Sequence, residues 1–213
     1  EGLRQTVLAL TRHEEHPFRH TPGDAALEAS VRHQARLLRR EAEVRVVAGI
    51  GGSSLGARVL CAGTRSRVRF LEGLDPATLS ARLQAVPWDR AALCVVSKSG
   101  GTLETLVNAA LALEALRKAC PQKWKQRTVL VASAGEGPLH RWARAEGVQR
   151  LDIPSPVGGR YSVLTPVGLL PAAFDGVDPS AVLAGARLGA DKSLLLTGRR
   201  NPALALALLL VQF

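Results

Sequence analysis

Apolar residues recur at helical spacing in two stretches near the start of the chain: Leu3, Val7 and Leu10, then Leu27, Val31, Leu37 and Leu38. Asp24 precedes the second stretch and is placed to cap the amino end of a helix. Pro17 and Pro22 lie between the two stretches, where each would break a continuous helix. The pattern therefore predicts a helical arm over residues 1–40.

From residue 44 onwards, short and nearly continuous apolar runs alternate with helical stretches. The runs are rich in β-branched residues, as strands buried on both faces should be. They are Val44–Ile50, Val68–Leu71, Ala92–Val96, Thr128–Ala132 and Val148–Ile153. Helices are predicted over Leu55–Ala62, Pro76–Gln84, Thr102–Ala119, Pro138–Glu146, Pro166–Ala173, Pro179–Gly189 and Pro202–Phe213. This alternation predicts an α/β fold with a mainly parallel five-stranded sheet flanked by helices, which binds ligands where its strands end.

The composition limits the class of protein. The chain has 213 residues, of which 46% are hydrophobic, enough for one compact domain with a short arm. Its formal charge of +10 would suit a nucleic-acid-binding protein, but the basic residues are spread along the chain and only 4% of residues are aromatic. We therefore expect no nucleic-acid partner. A basic surface would also attract a small anionic substrate.

The cysteines and the two ends of the chain bear on its cellular setting. Cys61, Cys94 and Cys120 are odd in number and have no metal-ligand spacing. Two of them lie in apolar contexts, which favours reduced, buried thiols in the cytoplasm. The amino end has no signal-peptide pattern. The apolar run Ala203–Val211 is too short to span a membrane, which takes about 20 residues. Because methionine is absent and the chain stops within an apolar stretch, we expect it to be a fragment.

A glycine-rich turn, Gly49–Gly56, follows the first predicted strand and precedes a helix. Such turns bind anions, because backbone N–H groups and the positive helix end face the ligand. A dinucleotide fingerprint would need glycine at Ser54, and the phosphate loop of nucleotide hydrolases would need a lysine after Gly56, where Ala57 stands. The turn therefore favours neither a dinucleotide nor ATP, and a tight turn without any ligand is the alternative.

A second glycine pair follows the third predicted strand, in the segment Ser97–Thr105. Hydroxyl groups at Ser97, Ser99 and Thr102 surround it. Several hydroxyl and N–H groups at one point suit the acceptor oxygens of a phosphate monoester, although Thr102 could instead be a helix cap. In a flavodoxin-like strand order the first and third strands are neighbours, so both loops would meet at the switch point of the sheet.

The third segment of interest is Gly158–Pro171, in which Arg160 follows two glycines and precedes an uncharged stretch. Its guanidinium could stabilise negative charge on a substrate oxygen. The alternative is a structural arginine that binds loop carbonyl groups.

Together, the segments Gly49–Gly56, Ser97–Thr105 and Gly158–Pro171 resemble the signatures of the phosphoglucose isomerase family, in order and in spacing. The first two alone would indicate only a sugar isomerase (SIS) domain. The resemblance implies a Rossmann-like SIS domain over residues 41–190 and the start of a following helical segment over residues 191–213. It also implies the interconversion of glucose 6-phosphate and fructose 6-phosphate in glycolysis and gluconeogenesis, without metal or cofactor, by a homodimer.

The same resemblance assigns roles position by position. Ser97, Ser99 and Thr102 would bind the phosphate with the Lys98 amide nearby, Gly52 and Ser53 would line the sugar, and Arg160 beside Gly159 would stabilise the enediol-like intermediate. The glutamate base, the histidine and the lysine of the family belong to later motifs that these residues lack. The histidines of this chain do not replace them, since four lie in the arm and His140 lies on a helix predicted to be distant from the loops.

The residues themselves leave two alternatives open. One is a non-catalytic SIS module that binds and senses phosphosugars, because the chain lacks a candidate base. The other is a related enzyme that acts on another phosphosugar, such as mannose 6-phosphate. In either case, we expect the fragment alone to be inactive, since a general base typically contributes about 10²–10⁴-fold in rate.

Overall fold

The computed structural model describes residues 17–64, 66–155, 157–193 and 200–211, together with Gln5 and Leu195. The first predicted helix of the arm, with Leu3, Val7 and Leu10, lies outside these residues. So do the last two residues of the helix predicted to reach Phe213.

Five parallel strands form one sheet. They are β1 (Val44–Ala48), β2 (Val68–Leu71), β3 (Ala91–Val96), β4 (Thr128–Ala132) and β5 (Gln149–Asp152). Their order is β2-β1-β3-β4-β5, and each neighbouring pair is parallel. The predicted α/β fold with a parallel five-stranded sheet is confirmed, and so is the flavodoxin-like order that makes β1 and β3 neighbours.

Helices flank the sheet. They are α1 (Ala25–Glu41), α2 (Leu55–Cys61), α3 (Pro76–Gln84), α4 (Leu103–Ala119), α5 (Pro138–Glu146), α6 (Pro166–Phe174), α7 (Pro179–Ser193) and α8 (Pro202–Val211). The predicted end of α7 at Gly189 is wrong by four residues. Gly189 does not adopt the positive φ that usually ends a helix at glycine, so the helix continues through it.

Side-chain caps begin two of these helices as the sequence predicted. Asp24 accepts a hydrogen bond from the Leu27 amide at 2.9 Å, and Asp75 accepts one from the Thr78 amide at 2.8 Å. Along α1 the predicted apolar face is buried, with one exception. Leu37 is 39% exposed, because it lies one position before Leu38 and therefore points about 100° away from the buried face.

The core forms one layer on each face of the sheet. On one face Val47, Val96 and Val131 pack with residues of α1 and α6, including the fully buried Leu169. On the other face Val46, Val95 and Leu130 pack with residues of α3, α4 and α5. Every residue of β3 and β4 is buried, as expected for central strands with helices on both sides.

We expect Leu169→Ala to lower the free energy of unfolding by about 2–5 kcal/mol, because it leaves a cavity between α6 and the sheet. Urea unfolding followed by circular dichroism measures the change. The matched control is Leu188→Ala on α7, where the side chain is 56% exposed and the change should stay within about 0.5 kcal/mol. Equal losses for the two variants would contradict the core described above.

Candidate functional site

The turn after β1 and the loop after β3 lie side by side at the carboxyl edge of the sheet. Ala48 pairs with Val95 at the end of the β1–β3 ladder. Directly beyond it, a Cβ built on Gly49 would lie 3.0 Å from the carbonyl oxygen of Val96. The two loops therefore meet at the switch point of the sheet, as the strand order predicted.

Residues of the loop after β3 bind one another. The Ser97 hydroxyl lies 3.4 Å from the Thr102 hydroxyl, and the Gly101 amide donates to Ser99 Oγ at 3.2 Å. Thr102 has the position of a helix N-cap, but its side chain accepts no capping hydrogen bond from α4. Thr102 is therefore the N-cap residue by position, but its hydroxyl faces Ser97 within the loop instead of capping the helix. Lys98 and Ser99 are exposed, so both remain accessible to a ligand.

Residues between β4 and the first turn of α5 form hydrogen bonds with this loop. The Lys98 carbonyl accepts a hydrogen bond from the Ser133 amide at 3.1 Å, and the Gly100 carbonyl accepts one from the Leu139 amide at 3.0 Å. Gly100 has a φ of +68°, which a residue with a side chain rarely adopts. The backbone of the loop is thus fixed at two points by the neighbouring strand-to-helix connection.

His140 corrects a sequence prediction, since it lies against the loop rather than at a distance. Its side chain is buried, and its Nε2 lies 2.7 Å from the Ser133 carbonyl oxygen. A Cβ built on Gly100 would lie only 2.2 Å from His140 Nδ1. The reason is topological: β4 is the neighbour of β3, so the first turn of α5 begins beside the loop that ends β3.

The segment with Arg160 lies on the turn after β1. It forms a 3₁₀ helix over Gly159–Leu164. A Cβ built on Gly52 would lie 2.7 Å from the Gly159 carbonyl oxygen, so the two backbones are in direct contact. The Ser162 hydroxyl donates to that same carbonyl at 2.7 Å and lies 3.5 Å from the carbonyl oxygen of Gly52.

Arg160 itself is exposed, and it forms no hydrogen bond or ion pair with any residue that the structure describes. The alternative in which Arg160 binds loop carbonyl groups therefore finds no support among the described residues. An arginine that is held by its backbone and unpaired at its guanidinium can bind an anionic ligand without first breaking a salt bridge. Ser53, which precedes the buried Ser54 in the neighbouring turn, is partly exposed.

Val163 fills a slot between two helices, and this contact fixes the segment with Arg160 from its other side. A Cβ on Gly56 of α2 would lie 2.8 Å from Val163 Cβ, and one on Gly168 of α6 would lie 2.2 Å from the Val163 carbonyl oxygen. Thr165 then begins α6, because its hydroxyl accepts a hydrogen bond from the Val167 amide at 3.3 Å. Neither helix could approach Val163 so closely with a side chain at these positions.

The arm contributes an aromatic contact that sequence analysis did not assign. The ring of Phe18 stacks on that of Tyr161, with 4.8 Å between centroids and 13° between the planes. The sequence offered one signal for this contact: Tyr161 is the single tyrosine of the chain and directly follows Arg160. The stacked pair holds the part of the arm around Phe18 beside the segment with Arg160.

Cys61 and Cys94 provide no nucleophile at neutral pH. Burial raises the pKa of the Cys94 thiol to about 12 and that of Cys61 to about 11, so neither is a thiolate. Both are free thiols and are buried. Across the described ranges, no three histidine, cysteine, aspartate or glutamate side chains come together as metal ligands. Within the same ranges, no helix combines the length and the apolar character needed to cross a membrane.

Comparison with known proteins identifies relatives of this arrangement. The family model described as phosphoglucose isomerase matches residues 39–211. A glucose-6-phosphate isomerase of Thermus thermophilus is 41% identical over 152 residues, which are 70% of this chain and 37% of that protein. A probable glucose-6-phosphate isomerase of Haloquadratum walsbyi is 37% identical over 187 residues, which are 83% of this chain and 42% of that protein. The chain thus spans about two fifths of the length of these curated relatives.

Solved structures share the fold. A hypothetical protein of Thermus thermophilus superposes with a TM-score of 0.81 and 34% identity, over 91% of this chain and 48% of that one. A glucose-6-phosphate isomerase of Chlamydia trachomatis gives a TM-score of 0.69 and 25% identity, over 83% of this chain and 35% of that one.

We expect Gly52→Ala to lower the free energy of unfolding by about 1–3 kcal/mol, because the added methyl group would collide with the backbone of Gly159. The matched control is Gly23→Ala, because Gly23 is also an exposed glycine in a 3₁₀ turn but has open space at its Cβ position. Urea unfolding measures both variants. If Gly52→Ala were as stable as Gly23→Ala, the contact between the two loops would be absent in solution.

Proposed function

Because the chain belongs to the phosphoglucose isomerase family, we propose that the protein containing it interconverts glucose 6-phosphate and fructose 6-phosphate. The observation that carries this proposal is the contact between Gly52 and Gly159, which joins the segment with Arg160 to the carboxyl edge of the sheet. In this proposal that contact brings a candidate anion-binding loop and Arg160, which has no partner among the described residues, into one site. The names of the curated relatives support the same reaction.

In this proposal the loop after β3 binds the phosphate group. Ser97, Ser99 and Thr102 supply hydroxyl groups, and the Lys98 amide supplies a backbone donor. The hydroxyl pair of Ser97 and Thr102 and the support from Ser133 and Leu139 favour this role, because a loop that is already ordered loses little entropy when it binds. A firm hold on the phosphate would orient the reacting carbons at the other end of the substrate.

Gly52 and Ser53 would line the sugar, and Arg160 beside Gly159 would stabilise the intermediate. In the open-chain aldose, a base removes the proton from C2 while the C1 carbonyl oxygen gains negative charge. Proton delivery to that oxygen gives an enediol, and loss of the O2 proton with protonation at C1 gives the ketose. The Arg160 guanidinium would stabilise the oxygen charge that develops between these two forms, which is where such a group lowers the barrier.

We further propose that the base comes from the part of the protein that this chain does not cover, so that the chain alone binds substrate but does not turn it over. The matched share of the curated relatives, about two fifths of their length, supports this division. We also propose that the domain boundaries lie at residues 40 and 190. The full-length protein would be a homodimer in the cytoplasm without a nucleic-acid partner.

We expect Arg160→Ala in the full-length protein to lower kcat for isomerisation of fructose 6-phosphate by about 10²–10³-fold, since it removes a charge that stabilises the intermediate. A coupled assay that oxidises the glucose 6-phosphate formed measures this rate. Arg36→Ala is the matched control, because Arg36 is an exposed arginine on α1 that forms no ion pair among the described residues. Undiminished turnover in Arg160→Ala would remove this residue from the mechanism.

Calorimetric titration with fructose 6-phosphate tests the phosphate-binding loop separately. We expect Ser99→Ala to weaken binding about tenfold, which corresponds to the loss of one hydrogen bond of about 1.5 kcal/mol to a charged group. Ser80→Ala on α3 is the control, since Ser80 is an exposed serine whose hydroxyl accepts a hydrogen bond from the Gln84 side chain. Saturable binding without any turnover by the full-length protein would favour a phosphosugar sensor over an isomerase.

A further inference from the structure

We propose that His140 is a positioning residue for the phosphate-binding loop and thereby sets the affinity of the site for the phosphate end of the substrate. The proposal rests on the function proposed above and deepens it. His140 does not reach the ligand itself, because its side chain is only 2% exposed beneath the loop. Its role would be to hold the backbone of Gly100, and with it the hydroxyl groups on either side.

The first step of the argument is a chain of hydrogen bonds from the imidazole to the loop. His140 Nε2 lies 2.7 Å from the Ser133 carbonyl oxygen. A carbonyl oxygen can only accept, so Nε2 carries a proton and donates it. The amide of the same residue, Ser133, donates to the Lys98 carbonyl at 3.1 Å. The imidazole therefore holds Ser133 in place, and Ser133 in turn holds the backbone of Lys98.

The second step is a direct contact between the ring and Gly100. A Cβ built on Gly100 would lie 2.2 Å from Nδ1 and 2.3 Å from Cε1 of His140, so the Cα of Gly100 rests on the imidazole. Nδ1 has no hydrogen-bond partner among the described residues. This edge of the ring therefore acts as a surface that limits how far the loop can move inward.

The third step is the position of Gly100 within the binding loop. It lies between Ser99 and Gly101, whose hydroxyl and amide bind each other at 3.2 Å, and it begins the return to Thr102. Its backbone amide also donates to the Ser97 carbonyl at 3.1 Å. A shift of Gly100 would move every group proposed to bind phosphate. If Gly100 is already held in place, the loop loses less conformational entropy when phosphate binds.

A purely structural role for His140 makes a different prediction. If the ring only filled space between α5 and the loop, its replacement would lower stability without a selective effect on phosphate. The proposed positioning role predicts a selective loss of affinity for phosphate-bearing ligands. The test must therefore compare the phosphate affinity of variants that lose similar amounts of free energy of unfolding.

The experiment uses the full-length protein with His140→Leu and His140→Gln. We expect His140→Leu to raise both the KM for fructose 6-phosphate and the inhibition constant for inorganic phosphate by about fivefold to tenfold, with a smaller change in kcat, because the Ser133 carbonyl loses its donor. Glutamine carries an amide NH₂ where histidine carries Nε2–H, so His140→Gln should restore most of the affinity.

The matched control is Leu116→Ala. Leu116 is fully buried near the carboxyl end of α4 in the same core layer, so its loss should destabilise the fold at a distance from the loop. We expect its phosphate inhibition constant to stay near that of the wild type. If Leu116→Ala and His140→Leu raised this constant equally, or if neither raised it, the positioning role would be overturned.

A double-mutant cycle tests the contact with Gly100. Gly100→Ala should weaken phosphate binding, because its methyl group would collide with His140 Nδ1 and because alanine rarely adopts a φ of +68°. His140→Ala should remove the collision, so the double variant should lose less affinity than the two single losses combined. Strict additivity would show that the ring and the glycine do not interact, which would contradict the proposal.

Inorganic phosphate separates this inference from the proposed isomerase activity. Its binding by calorimetry needs no turnover, so it reports on the loop even in a protein without isomerase activity. A wild-type protein that binds phosphate, loses that binding in His140→Leu and never isomerises sugar would overturn the proposed reaction but support the positioning role. Normal isomerisation together with unchanged phosphate affinity in His140→Leu would support the proposed reaction and overturn the positioning role.

Discussion

Parallel hydrogen bonding between β1 and β3 determines how close the two loops that follow these strands can come. The ladder runs from Val44 paired with Ala91 to Ala48 paired with Val95, and the chain leaves both strands at nearly the same level. The strands continue to opposite neighbours, β2 and β4, so no further strand separates their loops. The position of every candidate site residue follows from this arrangement, because each lies on one of these loops or packs on one.

The two sides of the site are supported by different parts of the fold. The loop after β3 rests on Ser133, which directly follows β4, and on Leu139 and His140 at the amino end of α5. The segment with Arg160 rests instead on α2 and α6, which pack on the opposite face of the sheet from α5. Both supports combine backbone contacts with one side chain, that of His140 or that of Val163. The exposed side chains of Lys98, Ser99 and Arg160 thereby remain available to a ligand.

Much of this organisation could be predicted from the sequence, and the failures have physical reasons. Continuous apolar runs define buried strands, and Pro76, Pro138 and Pro166 each stand at the start of a helix as predicted. The contact of His140 with Gly100 was missed, because a lone histidine on a helix carries no periodic signal and the two residues are far apart in the chain. The stacking of Phe18 on Tyr161 was missed for the same reason, since it joins residues that only the folded topology brings together.

The slot that holds Val163 between Gly56 and Gly168 also affects how such a sequence can diverge. Both glycines contact one shared neighbour, Val163, which lies on the segment with Arg160. Natural selection would therefore act on volume rather than on chemistry at these positions. A lineage could exchange the polar groups that choose the sugar while the shape of the slot stays unchanged, so that new substrate preferences could evolve on the same rigid frame.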